Sequence, residues 1–307
     1  MLESCELCPR RCKVNRLKGQ RGFCGSGAIA LVQGHMSHTG EEPPLSGTKG
    51  SGTIFFARCT MRCVYCQNYE FSQPDKAGLA GQLSSGREVA ANELASMMLN
   101  MQKQDCHNIN LVTPAHFIPQ ILEALVLASE NGLSIPIVYN SSGYESVNAL
   151  KLLDGIIDIY LPDMRYSDSE AADKYSDAAD YPAVNTEAIK EMFRQVGGLI
   201  LDEDGIAKKG LIVRHLILPN GHSGTEGIFK FISSELLNDV YISLMSQYYP
   251  SHMAYKYPEI NRRITAREYT DACELLLKYG LTNGWVQDSP DKMDSTLLGT
   301  NIKKTMK

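Results

Sequence analysis

Beyond residue 50 the chain alternates between short apolar runs and longer segments that carry an apolar residue every three or four positions. The runs TIFFA (53–57), INLVT (109–113), IPIVYN (135–140), IIDIYLPD (156–163), LIVRHLILP (211–219) and VYISLMSQ (240–247) read as strands. Segments 87–102, 118–132, 144–155, 186–198, 227–237 and 265–280 read as helices, and the ENG and VGG triplets are stops for two of them. Six strand–helix units in sequence predict an α/β fold with a parallel sheet and helices outside, either doubly wound or curled into a partial (β/α)6 TIM-like barrel.

Residues 1–45 break this rhythm. They hold Cys5, Cys8, Cys12 and Cys24 among basic residues and glycines, and GEEPPLSGTKGSG (40–52) follows as a linker or ordered loop. The expected organisation is a cysteine-rich N-terminal extension with its linker (1–50), a barrel (51–290) and a C-terminal tail (291–307).

In parallel α/β folds chemistry gathers where strands end. That rule selects Cys59–Cys66 after the first strand, then TPAH, NSSG, PDMR, PNGH and QYYP after the next five.

Composition narrows the classes. A net charge of −5 and an isoelectric point near 5.8 argue against a nucleic-acid surface. No apolar stretch reaches the length of a membrane span, and the opening MLESCELCPRRC lacks an apolar signal core, so a cytoplasmic protein without membrane association is expected. In that compartment nine cysteines are ligands or thiols sooner than disulfides, and seven of them precede residue 67.

The densest group is RCTMRCVYCQNY (58–69), with Cys59, Cys63 and Cys66. On spacing alone, three thiolates wrap one face of an iron–sulfur cube with one iron left open, or belong to a zinc site completed from a distance, or are structural thiols. Cys5, Cys8, Cys12 and Cys24 can close a four-thiolate site. Cys106 and Cys273 read as buried thiols.

The loop directly follows a strand that opens a βα series, and Tyr65 precedes its last cysteine. Here the chain resembles the radical S-adenosylmethionine (SAM) superfamily. With CELCPRRCKVNR and GQRGFCG ahead of GSGTIFFARCTMRCVYCQNYEFSQ, it resembles relatives of pyruvate formate-lyase activating enzymes over nearly its whole length. The resemblance implies a [4Fe–4S] cluster on Cys59, Cys63 and Cys66, with SAM on the open iron. Reductive cleavage of SAM would then give a 5′-deoxyadenosyl radical that abstracts hydrogen from substrate. Cys5, Cys8, Cys12 and Cys24 would hold structural zinc or a second [4Fe–4S] cluster, the latter favoured because the fold already depends on cluster loading.

The resemblance also assigns cofactor-binding residues. Family members bind the SAM amino group through a Gly/Gly/Glu segment, but VTPAH (112–116) stands in that place, leaving Thr113 and His116 as candidates. His116 is equally a structural hydrogen-bonding residue. Asn140 and Ser142 suit ribose hydroxyls or the SAM carboxylate, or else form a polar turn. Asp163 and Arg165 match the position of an acidic–basic pair in activating enzymes, with Arg165 gripping the carboxylate or simply pairing with Asp163. Arg214 and His215 point to opposite faces of their strand, and Arg214 is the one assigned to SAM or substrate. Gln247 and Tyr249 stand where adenine or ribose contacts are expected, or merely pack. Glu41 and Glu42, in GHMSHTGEEPP, are candidates for facing the substrate.

These expectations combine into a radical SAM oxidoreductase that takes electrons from reduced flavodoxin or ferredoxin. Its substrate would be a protein or peptide, in particular a glycyl radical enzyme. A radical SAM enzyme modifying a small molecule or another protein residue is a competing reading, and a non-catalytic iron–sulfur or zinc protein is another.

Overall fold

The computed structural model describes residues 1–73, 86–236, 240–288 and 300–301. In chain order its elements begin with β1 (Ala30–His38), the single turn α1 (Pro43–Ser46), β2 (Ser51–Phe56), the turn α2 (Tyr69–Ser72), β3 (Arg87–Val89) and α3 (Ala91–Lys103). Next come β4 (Ile109–Val112), α4 (Ile118–Glu130), β5 (Ile137–Ser141), the turn α5 (Val147–Leu150) and β6 (Ile159–Pro162). Two helices, α6 (Ser169–Ser176) and α7 (Tyr181–Val196), precede the short β7 (Ile200–Leu201) and the long β8 (Ala207–Leu216). The chain then runs through α8 (Thr225–Glu235), β9 (Tyr241–Met245), α9 (Ala266–Lys278), β10 (Gly284–Val286) and β11 (Thr300–Asn301).

The six expected strands are present as β2, β4, β5, β6, β8 and β9, hydrogen-bonded side by side in parallel. β10 extends the parallel array beyond β9. At the opposite edge β1 runs antiparallel to β2, and β3 antiparallel to β1. The result is a partial barrel, as its strand–helix repeat predicts. Of the tail expected at 291–307, only residues 300–301 lie within the described residues, as a strand antiparallel to β10.

Each parallel strand is buried on both faces, which is why the sequence shows apolar runs instead of alternation. The outer faces, with Leu111, Tyr139, Tyr160 and Val213, pack against helices that present residues such as Met97, Met98 and Met101 of α3 and Ile121, Ala124 and Ala128 of α4. The inner faces carry a second, smaller core of Val138, Ile159, Leu161, Ile212 and Trp285, into which Leu45 of α1 inserts. Parallel register puts Asn140, Asp163, Arg214 and Ser243 on this inner face, one step nearer the strand ends. The lumen therefore has an apolar floor beneath a polar tier.

Segment 87–102 differs from its expectation: three residues form β3 before the helix starts at Ala91. Segment 144–155 breaks into α5 and a 3-10 turn, Lys151–Leu153. The expected end of the 227–237 helix reaches residue 237, which lies outside the described residues.

Candidate functional site

The three-cysteine loop begins where β2 ends and is held by backbone hydrogen bonds from three directions. Arg62 N–H donates to Ser176 and Val64 N–H to Tyr175, both at the end of α6, while Met253 N–H donates to Val64. Arg58 turns the chain out of the strand with φ of 75°, and its N–H donates to Phe71. So anchored, the loop keeps its three thiols within electrostatic reach of one another.

Their neighbours are polar. Ser176 Oγ donates to Cys63 Sγ at 3.0 Å, and Ser72 Oγ lies 3.3 Å from Cys66 Sγ. Met61 N–H points at Cys59 Sγ from 3.4 Å. Tyr65, the aromatic before the last cysteine, joins its hydroxyl to that of Tyr166 at 2.6 Å, and Tyr166 meets Ser176 at 2.7 Å. Burial pushes the Cys59 thiol up to about 12, and neighbouring Cys63 adds to the shift. Cys66 is raised by burial and then by Cys63. Thiolates form here only when a cation compensates them.

Facing the loop is a charged cluster on the polar tier of the lumen. Asp163 accepts from Arg165 Nη2 through one oxygen and from Arg214 Nε through the other, the latter at 2.8 Å. Arg214 Nη2 donates to Asn140 Oδ1 at 2.7 Å. Arg165 Nη1 reaches 3.9 Å from Cys63 Sγ, which ties the cluster to the thiols. Its Nε is buried without a hydrogen-bond partner among the described residues. Asp163 is held between two guanidiniums, and an orphaned Arg165 N–H sits beside it.

Between loop and cluster lies a cavity of about 180 Å³ lined by Cys66, Asp163, Arg165, Arg214, Gln247 and Tyr249 among others. Five of the sequence candidates for cofactor binding or cluster ligation thus converge with Tyr249. Asn140 joins them through Arg214. Ser142 does not line the cavity; its side chain accepts from Tyr144 N–H and its carbonyl from the Tyr181 hydroxyl. Thr113 and His116 also lie off the cavity lining. Thr113 holds a left-handed turn (φ 61°). His116 is fully buried, with Nε2 2.9 Å from the Ala57 carbonyl, and burial brings it down to about 4. His215, on the outer face of β8, bridges the Met164 carbonyl and Thr225.

The N-terminal cysteines form a second group. Lys13 N–H donates to the Cys5 carbonyl and Cys5 N–H to the Val14 carbonyl around a tight loop, and Phe23 N–H points at Cys12 Sγ from 3.3 Å. A Cβ at Gly22 would stand 2.7 Å from Cys12 Sγ, so that hairpin needs glycine. Burial raises the Cys8 thiol, with Cys24, Cys12 and Cys5 adding to it. This group docks on the first: Arg10 donates to the Thr60 carbonyl, Arg62 donates to the Phe23 carbonyl, and both guanidiniums lie over the Phe23 ring. Arg16 reaches the His116 carbonyl at 2.7 Å.

A [4Fe–4S] cluster with SAM fits the first group. It supplies three thiols on one loop, Cys66 among them lining the cavity, and the orphaned Arg165 N–H suits a carboxylate. Among the described residues no three Cys, His, Asp or Glu side chains converge closely enough for a single metal ion. A cube with a ligand at each corner asks for thiols spread around it.

The sequence reading missed Glu145, Tyr166 and Ser176. Glu145 is buried under the Tyr139 hydroxyl, and burial raises it to about 8. Nothing in SSGYE marks it, since its partner chemistry comes from packing alone.

No family model matches the chain. It is 34% identical over 287 residues to the uncharacterized protein MJ0674 of Methanocaldococcus jannaschii, an alignment covering 92% of this chain and 76% of that protein. The chain belongs to the MJ0674 family. A second relative from the same organism, uncharacterized protein MJ0808, is 26% identical over 166 residues, covering 48% of this chain and 46% of its own. Among solved structures, the FeFe-hydrogenase maturase HydG from Carboxydothermus hydrogenoformans superposes with a TM-score of 0.54 at 14% identity, over 80% of this chain and 55% of that one. Another structure of HydG, a maturase of the [FeFe]-hydrogenase, gives 0.50 at 11% identity, over 75% and 49%. The chain thus shares the partial-barrel fold of these two HydG structures and spans about half their length.

Proposed function

We propose that the protein is a radical SAM enzyme whose reaction centre is the cavity between Cys59–Cys66 and the Asp163–Arg165–Arg214 cluster. The observation that carries this reading is Arg165, which bonds Asp163 and approaches Cys63 Sγ beside a cavity that Cys66, Asp163, Arg165 and Arg214 line together. A [4Fe–4S] cluster and SAM bound there supply one-electron cleavage to methionine and a 5′-deoxyadenosyl radical that abstracts hydrogen. The chain's own part is placement. Cys59, Cys63 and Cys66 hold the iron. Arg165 receives a carboxylate, and Asp163 orients both guanidiniums. Gln247 and Tyr249 line the far wall for nucleoside contacts.

The N-terminal thiols are the place for a second [4Fe–4S] cluster or zinc. Their docking through Phe23 supports electron entry from reduced flavodoxin or ferredoxin by that side. All nine cysteines are free, which supports a reducing, cytoplasmic setting. No helix among the described residues is long and apolar enough to cross a membrane. A protein substrate, a glycyl radical enzyme in the finer reading, is supported by the half-exposed Tyr249 on the cavity wall.

Anaerobic release of 5′-deoxyadenosine from SAM with dithionite tests the reaction class. Release by wild type that vanishes in Cys59→Ala is expected; cluster-loaded protein that neither binds nor cleaves SAM would refute it. For the finer reading, a glycyl-radical EPR signal should appear on a candidate partner treated with active enzyme.

A further inference from the structure

The loop between β1 and β2 delivers a carboxyl group into the polar tier of the lumen. Glu42 precedes the Pro43–Ser46 turn, which is pinned by Leu45 in the lower core and by Asn108 Nδ2 on the Leu45 carbonyl. Its side chain is 8% exposed. The Ser243 hydroxyl donates to it, but Oε2 is buried with no hydrogen-bond partner among the described residues. Arg214 lines the same pocket and attracts the carboxyl, but its hydrogen bonds go from Nε to Asp163 and from Nη2 to Asn140. Neighbouring Glu41 turns to His38 at 3.2 Å.

Glu42 lines a pocket of about 50 Å³ with Ser243, Met245, Gln247, Trp285 and Gln287. The pocket shares Arg214, Met245 and Gln247 with the larger cavity, so the two are neighbouring compartments of one lumen. Its volume suits the tip of a chain, a few heavy atoms at most. Its lining is mostly polar, with Pro43, Met245 and Trp285 as the apolar part, and one carboxyl oxygen of Glu42 lacks a donor there. Such an oxygen is costly to bury unless it carries a proton or meets a donor. Burial does hold Glu42 above the ordinary carboxyl range. A cationic N–H donor would satisfy that oxygen, and methylenes behind it would lie along Pro43, Met245 and Trp285.

We propose that the Glu42 pocket is a subsite for a primary alkylammonium group of the substrate, anchoring its tip while the attached carbon chain extends into the larger cavity. This rests on reading that larger cavity as the reaction centre. The ammonium belongs either to a lysyl side chain or to a free amine, and the two share one recognition chemistry.

Trp285 is the only tryptophan in the sequence and lies in the pocket wall, so its fluorescence reports occupancy without turnover. The full chain, isolated anaerobically, is titrated with n-butylammonium against 1-butanol, and with Nα-acetyl-lysine methylamide against its norleucine analogue. The ammonium member of at least one pair should bind about tenfold tighter or better. The preference should collapse in Glu42→Gln and persist in Glu42→Asp. Preference in the lysine pair alone identifies a peptide source, and preference in the butyl pair identifies a free amine. Equal binding within both pairs, or a preference that survives in Glu42→Gln, overturns the proposal. Because no SAM or reductant enters this titration, its failure is separate from failure of 5′-deoxyadenosine release.

Discussion

Replacing Arg165 with Met keeps the volume and removes the charge at the point where the thiols meet the Asp163 cluster. In the folded protein this guanidinium bonds Asp163, approaches Cys63 Sγ at 3.9 Å and carries the orphaned Nε. Its loss leaves Asp163 with Arg214 alone, at 2.8 Å, and removes one positive charge from the cavity wall. A charge-assisted hydrogen bond to a ligand carboxylate is worth about 1.5–3 kcal/mol, so the SAM dissociation constant should rise by about 10- to 150-fold. The Coulomb limit at 4 Å and an effective dielectric of 20 is about 4 kcal/mol, which bounds the effect from above. Equilibrium dialysis of labelled SAM against cluster-loaded protein measures it, and thermal unfolding by circular dichroism confirms that the variant is folded. Decarboxylated SAM supplies the decisive control: it should bind wild type weakly, and Arg165→Met should weaken it little further. If a folded Arg165→Met binds SAM within threefold of wild type, or loses as much affinity for the decarboxylated ligand, then Arg165 is not the carboxylate anchor.

Iron, zinc and sulfide counts on anaerobically isolated protein should give about eight irons, one cube for each thiol group, and about four irons with one zinc would remove the second cluster. Gly22→Ala forces a Cβ to 2.7 Å from Cys12 Sγ, so it should shed the N-terminal metal and keep the metal on Cys59, Cys63 and Cys66. Glu145 has a folded value of about 8 against an ordinary 4.5, so its stabilising contribution is complete below pH 4.5 and is lost as pH rises through 8. Relative to wild type, Glu145→Gln should therefore gain about 3–5 kcal/mol between pH 4.5 and 8.5, read from urea midpoints; parallel curves would refute that burial.

The barrel was legible because its strands are buried twice over and its helices once. Runs such as IPIVYN and the three-to-four spacing of α4 leave few other structures open. β1 was not legible: only Ala30–Val32 are buried in succession, and GHMSH lies on an edge where side chains meet solvent. β10 spans three residues, too few for any periodicity to show. Within the site, the position of each loop at a strand end was readable, but its wiring was not. Asp163 finds Arg214 across 51 residues, and Arg16 finds the His116 carbonyl across 100. Glu42 was noticed as an acidic residue near the site, yet only the insertion of Leu45 beneath it explains why its carboxyl enters the lumen.

Phe23 sits one residue before Cys24 and carries the guanidiniums of Arg10, two residues after Cys8, and of Arg62, one residue before Cys63. If ordering one thiol group orders part of the other, thermodynamic reciprocity makes the change in metal affinity equal in both directions. A positive coupling would make half-filled molecules rarer than independent filling predicts. On the proposed function, Phe23 would then link the loading of the N-terminal thiols to that of Cys59, Cys63 and Cys66.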